Sequence, residues 1–129
     1  MAIKDILRVM VVDDHISSRM VTVEGVGKLG IKQVAVAKDG REGFTKLVQS
    51  PVHLIITDLY MPEIDGFQFI HAVRKHPKVH KTAAIILTGK KDANVVAKAG
   101  QLGVNNVLSK PFTLEHLKAA IESVVGRLG

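Results

Sequence analysis

The sequence predicts an α/β domain built on a parallel, doubly wound sheet. Five short apolar runs alternate with longer amphipathic stretches, and three of the runs are nearly continuous in apolar residues. Strands buried on both faces read this way. The 129 residues suit one domain, and 47% apolar against 23% charged residues supports a packed core rather than disorder.

The elements follow in order. The first strand is Leu7–Val12, and Ser17 or Ser18 is placed to cap a helix running to about Gly30, where the glycine serves as a stop. The second strand is Gln33–Ala37, and Asp39–Gly40 opens a helix that ends before Pro51. The third strand is His53–Thr57. Its helix runs from about Phe67 to His76, with Phe67, Ile70 and Val73 on one face and Pro77 beyond. The fourth strand, Ala83–Thr88, precedes a helix at about Ala93–Leu102 that Gly103 ends. The fifth strand is Asn106–Ser109. After Thr113, the residues Leu114, Leu117, Ile121, Val124 and Leu128 recur at three- and four-residue steps and predict the last helix. Right-handed crossovers with one reversal of direction put helices on both faces. Functional groups are then expected beyond the carboxyl ends of the strands, near the reversal.

Composition removes several function classes. The chain has no cysteine, which excludes disulfides, thiolate catalysis and Cys-ligated metal centres. The formal charge is +6, but the cations are scattered and aromatics make up 4% of the chain, so no nucleic-acid partner is expected. The apolar run Val9–Val12 ends at Asp13 and Asp14, too short for a signal peptide or a membrane span. A soluble, cytoplasmic domain without membrane insertion is expected.

The strand ends carry the chemistry. The first ends in Asp13–Asp14, the third in Asp58, the fourth in Thr88–Gly89 and the fifth in Lys110–Pro111. Two carboxylates about 4 Å apart repel by roughly 4 kcal/mol at an effective dielectric near 20. Three brought together need a shared proton or a cation. No histidine set accompanies them, so the hard, oxygen-seeking Mg²⁺ fits best, leaving coordination positions for phosphate oxygens. An aspartate can also act as nucleophile and form an acyl phosphate. Taken singly the residues have plainer readings. Asp13 or Asp14 could cap a helix, Asp65–Gly66 reads as a turn, Thr88 as a strand residue and Lys110 as a solvated charge. His76 and His80 are four apart, but Pro77 breaks the helix that would align them, and His15 reads as a loop residue.

Four motifs recur together, in order, at these strand ends: Val-Val-Asp13-Asp14; Ile-Ile-Thr-Asp58-Leu-Tyr-Met-Pro62-Glu-Ile-Asp65-Gly66; Leu-Thr88-Gly89; and Lys110-Pro111-Phe112. In them the chain resembles the receiver domain of two-component response regulators, the CheY-like family, from about Arg8 to Leu128. The resemblance implies a flavodoxin-like (βα)5 sheet of strand order 2-1-3-4-5 and a single receiver domain over residues 1–129 with no output domain. It implies that Asp58 accepts a phosphoryl group from a phosphohistidine of a sensor histidine kinase. Asp14 and Asp58 would bind Mg²⁺ directly, with the Tyr60 backbone carbonyl as a third ligand and Asp13 acting through water. Lys110 would contact the phosphoryl oxygens, and Thr88 would move to hydrogen-bond them. The Lys110–Pro111 bond is expected to be cis, and Pro62 and Gly66 to shape the loop after Asp58, the glycine permitting its turn. The chain would be no enzyme beyond its own phosphorylation and dephosphorylation. Its output would pass through a downstream protein, the flagellar motor switch among the candidates, on the face made by the fourth helix, fifth strand and fifth helix.

The sequence also departs from the family pattern. Many members carry an aromatic three positions before the strand-five lysine, where this chain has Val107. Tyr60 and Lys90 stand two residues after Asp58 and Thr88 and put a ring and a cation at the mouth of the site. Val107 leaves open a second reading, a phosphate sink or phosphorelay intermediate without an output surface. An Asp-nucleophile phosphatase of the haloacid dehalogenase type would need an aspartate at position 60, and a nucleotide site would need a Gly-rich phosphate loop. The chain has neither.

Overall fold

The computed structural model describes all 129 residues as five strands and six helices. The order is α1 (Ile3–Ile6), β1 (Arg8–Val12), α2 (Ile16–Lys28), β2 (Gln33–Ala37), α3 (Gly40–Gln49) and β3 (Leu54–Asp58), followed by α4 (Gly66–Lys75), β4 (Ala83–Thr88), α5 (Ala93–Gln101), β5 (Asn106–Ser109) and α6 (Leu114–Val125). All neighbouring strands pair in parallel, in the order β2-β1-β3-β4-β5. The chain therefore reverses direction between β1 and β3, the strands that end in the acidic residues.

Alternation along the strands divides the core. Val9 and Val11 of β1, Leu54 and Ile56 of β3, and Ile85 and Leu87 of β4 pack with Val26 of α2 and with Leu117 and Ile121 of α6. Met10, Val12 and Ile55 face the other way, against Leu47 of α3 and Phe69, Ile70 and Val73 of α4. On that same side Ile86 and Val107 meet Phe67 of α4 and Val95 and Ala99 of α5. Every residue of β3 is buried, which explains the apolar run Leu54–Ile56 that leads to Thr57 and Asp58. No helix is long and apolar enough to cross a membrane.

Helix starts are set mostly by side-chain caps. Asp39, Asp65, Asp92 and Thr113 each accept from the backbone N–H three residues on, and Asp65 completes a capping box with Gln68. The helix α2 differs from expectation: His15, not Ser17 or Ser18, holds its N-cap position and makes no side-chain cap bond. Both serines lie inside the first turn. The four-residue α1 lies ahead of the first expected element, and its Lys4 N–H donates to the Leu128 carbonyl at 3.2 Å. Leu128 itself is buried but not helical. Gly126, at φ 90°, ends α6 and turns the chain back, and the Leu128 N–H donates to Glu122 Oε2 at 2.9 Å. The periodicity that extends to Leu128 thus marks a core residue beyond the helix end.

Candidate phosphoacceptor and metal site

Parallel strands of matched register deliver the acidic residues to one rim. Asp13 and Asp14 follow β1, and Asp58 ends the adjacent β3. Their carboxylates offer oxygens all within 4.8 Å of one another. Asp13 is 1% exposed, and the Asp58 side chain is more open, at 11%. Repulsion among three such groups is offset on one side by Lys110, which leaves β5 just before the cis Lys110–Pro111 bond. Its Nζ donates to Asp58 Oδ1 at 3.0 Å and lies 3.7 Å from Asp13 Oδ2.

One ammonium does not satisfy the set. Asp13 Oδ2 and Asp14 Oδ1 are buried oxygens without a hydrogen-bond partner. Buried carboxylate oxygens without donors are costly, and a hard cation with oxygen ligands removes that cost. The donor set therefore fits Mg²⁺. Burial pushes the Asp58 carboxyl above its ordinary range, the Asp13 charge adds to that rise, and the Lys110 hydrogen bond and charge oppose it.

The remaining expected residues take distinct places. Thr88 ends β4, fully buried beside β3, and its Oγ1 accepts the Lys90 N–H at 3.1 Å, so its hydroxyl is committed to the loop. Tyr60 lies in the loop after β3 with its side chain 59% exposed at the rim. Gly66 has no left-handed backbone; the positive φ of this loop belongs to Glu63 at 65°. Close approach is what requires the glycine, because a Cβ there would sit 2.6 Å from the Asp58 carbonyl oxygen.

The first turn of α2 supplies contacts that motif reading does not anticipate. The His15 N–H donates to Asp13 Oδ1 at 3.0 Å, and Arg19 Nη1 donates to the Asp13 carbonyl at 2.8 Å. Ser18 Oγ accepts from Lys110 Nζ at 2.9 Å. Their signal in the sequence is only their position, one helical turn after the acidic pair. His15 Nδ1 lies 3.5 Å from Asp14 Oδ2, so the residue read as a loop histidine borders the cluster.

Comparison with known proteins agrees with this geometry. The sequence pattern of the family described as response regulator receiver domain matches residues 9–122. The probable chemotaxis protein CheY of Rhizobium etli is 46% identical over 128 residues, covering 99% of each chain. Chemotaxis protein CheY1 of Helicobacter pylori is 32% identical over 121 residues, covering 93% of this chain and 98% of that protein. Among solved structures, chemotaxis protein CheY4 of Vibrio cholerae superposes with a TM-score of 0.85 at 31% identity, over 92% of this chain and 98% of that one. The chain belongs to the response regulator receiver domain family, and within it is CheY-like.

Proposed function

We propose that this receiver takes a phosphoryl group onto Asp58 from the phosphohistidine of a sensor histidine kinase, with Mg²⁺, and thereby changes its binding to a downstream protein of a chemotaxis-type pathway. The observation that carries the reading is the buried Asp58 carboxylate, 3.0 Å from Lys110 and beside two unpartnered carboxylate oxygens. Asp14, Asp58 and the Tyr60 carbonyl would hold the cation, with Asp13 acting through water. When bound, the cation supplies positive charge that lets carboxylates and phosphoryl oxygens share one site.

The protein's own residues do the rest. A carboxylate oxygen of Asp58 attacks phosphorus, an O–P bond forms as the P–N bond breaks, and the electron pair leaves with the imidazole. Lys110 already sits against Asp58, so its ammonium meets the charge on the transferring oxygens without moving far. Hydrolysis of the acyl phosphate returns the carboxylate and inorganic phosphate. The chain then acts on itself alone rather than on a released substrate.

Intact mass after incubation with acetyl phosphate and Mg²⁺ tests the assignment. The parent gains one phosphoryl group and Asp58→Asn gains none; a variant phosphorylated at the parental rate refutes it. Asp14→Ala loses most Mg²⁺ affinity and Asp13→Ala loses less, whereas unchanged affinity in Asp14→Ala would place the metal elsewhere.

A specific feature favours the phosphate-sink reading as a second possibility. Val107 is packed among Leu59, Phe67, Ile86, Val95 and Ala99 and is 7% exposed, so it has no exposed-to-buried swing to offer as an output signal. Phosphorylation that leaves the α5–β5–α6 surface unchanged by NMR would select this reading over the binding switch.

A further inference from the structure

We propose that Ser18 is a positioning residue for Lys110, holding its ammonium in place through phosphoryl transfer. The inference rests on the reading that Lys110 meets the phosphoryl oxygens. Lysine is a flexible four-carbon stem ending in three donors, and it loses much rotamer freedom when fixed. Here its Nζ has three neighbours: Asp58 Oδ1 at 3.0 Å, Asp13 Oδ2 at 3.7 Å and Ser18 Oγ at 2.9 Å.

The two carboxylates cannot anchor the ammonium through the reaction. Asp58 changes from a carboxylate into an acyl phosphate, and its negative charge moves outward onto the phosphoryl oxygens. A lysine held by charge alone would follow it. The Ser18 hydroxyl is neutral and does not change during transfer, so it fixes the ammonium from a third direction. The helix leaves this hydroxyl free for the task, because α2 starts at Ile16 and its N-cap, His15, provides no side-chain cap. The turn itself is tied to the site by the bonds from His15 and Arg19 to Asp13. The Ser18 carbonyl accepts from Thr22 Oγ1 at 3.3 Å, which keeps its backbone in helical register.

The test compares the parent with Ser18→Ala, Ser18→Thr and Asp58→Asn, following intact mass against time over a range of acetyl phosphate concentrations, with Mg²⁺ affinity measured by calorimetry. Alanine is the better helix former, so a slower Ser18→Ala cannot be attributed to a melted first turn. One lost hydrogen bond of ordinary strength corresponds to a loss of about 2- to 10-fold in the maximal phosphorylation rate. The half-saturating donor concentration and the Mg²⁺ affinity stay at parental values, and Ser18→Thr, which keeps the hydroxyl, restores the rate. A parental rate in Ser18→Ala, with Asp58→Asn inert, overturns the role of Ser18 and leaves the phosphoacceptor reading standing. Failure of threonine to rescue, or a loss of Mg²⁺ affinity in Ser18→Ala, also overturns it by showing a general disturbance of the site. Phosphorylation of Asp58→Asn at the parental rate instead removes the reading on which the proposal rests.

Discussion

Gly66→Ala isolates how tightly α4 is pressed onto the end of β3. An added Cβ would stand 2.6 Å from the Asp58 carbonyl oxygen and 3.0 Å from Leu59 Cα. Both are backbone atoms, so no side-chain rotation relieves the contact. A carbon–oxygen contact needs about 3.3 Å, which forces a shift of roughly 0.7 Å between α4 and the end of β3. The shift also strains the Gly66 N–H bond to the Leu59 carbonyl, now 2.8 Å. Overpacking of this kind costs about 1–3 kcal/mol, and the better helix propensity of alanine returns less than about 1 kcal/mol of it. A net loss of about 1–2 kcal/mol is expected. Gly27→Ala is the control, since a Cβ at that α2 position meets nothing within 4 Å and should stabilise by about 0.5–1 kcal/mol. Urea unfolding with both slopes checked for equality reads the two changes. Because the displaced atoms belong to Asp58 and its neighbour, Gly66→Ala should also slow phosphorylation while Gly27→Ala leaves it intact. A Gly66→Ala midpoint equal to or above that of Gly27→Ala would refute the close-approach argument.

Three further outcomes follow from the same structure. Burial raises the Asp58 carboxyl, with Asp13 acting in the same direction, so the native state binds a proton more tightly than the unfolded chain. Stability of the metal-free protein should therefore fall as pH rises from the ordinary aspartate range through the raised native value, and Asp58→Asn should be the more stable at pH 7. Thermal melts without Mg²⁺ that find the parent more stable at pH 7 would contradict this. The Arg74 guanidinium donates to the carbonyls of His80, Thr82, Leu102 and Gly103 at 2.7–3.1 Å, four bonds that a lysine cannot reproduce. Arg74→Lys should cost about 1–3 kcal/mol in chemical denaturation, and an unchanged midpoint would make the fork dispensable. Finally, an acyl-phosphate mimic with saturating Mg²⁺ should shift backbone NMR signals of Thr88–Lys90 more than those of Val107. Large changes centred on Val107 with a silent loop would overturn that order.

Much of this fold was legible because buried parallel strands leave continuous apolar runs. The acidic cluster was legible because three carboxylates together at the ends of two strands have few plain structural uses, though each alone has one. What escaped reading did so for physical reasons. The helix α1 has four residues, too few for a period to show, and its stabilisation comes from the far end of the chain through Lys4 and Leu128. Leu128 keeps the helical spacing, yet Gly126 in a left-handed conformation ends the helix before it. Ser18 suited a cap by residue type, but the partner that claims its hydroxyl lies 92 positions away, on β5's exit. Gly66 was expected to permit a turn, whereas its role depends on the distance between two backbones, which residue type alone does not encode.

The hydrogen bonds around Thr88 show how a change at Asp58 could reach α5 without any movement of Val107. Thr88 Oγ1 accepts the Lys90 N–H at 3.1 Å, and the Thr88 carbonyl accepts the Lys110 N–H at 2.8 Å. The carbonyl bond keeps the Thr88 backbone joined to the exit of β5, so any response of Thr88 falls to its side chain. A side-chain rotation that carried the Thr88 hydroxyl toward a phosphoryl group on Asp58 would break its bond from the Lys90 amide. The released segment is short and leads directly to Asp92, whose side chain caps α5 by accepting the Val95 N–H at 2.9 Å. Gly89, between them, has no side chain to resist and nothing packed within 4 Å of where one would be. Val107 is already packed against Val95 and Ala99 on the underside of α5 and would stay there if the loop ahead of α5 changed. If Asp58 is phosphorylated as proposed, the response is expected in this loop and the start of α5, where each bond costs little to exchange, rather than in the burial of a ring.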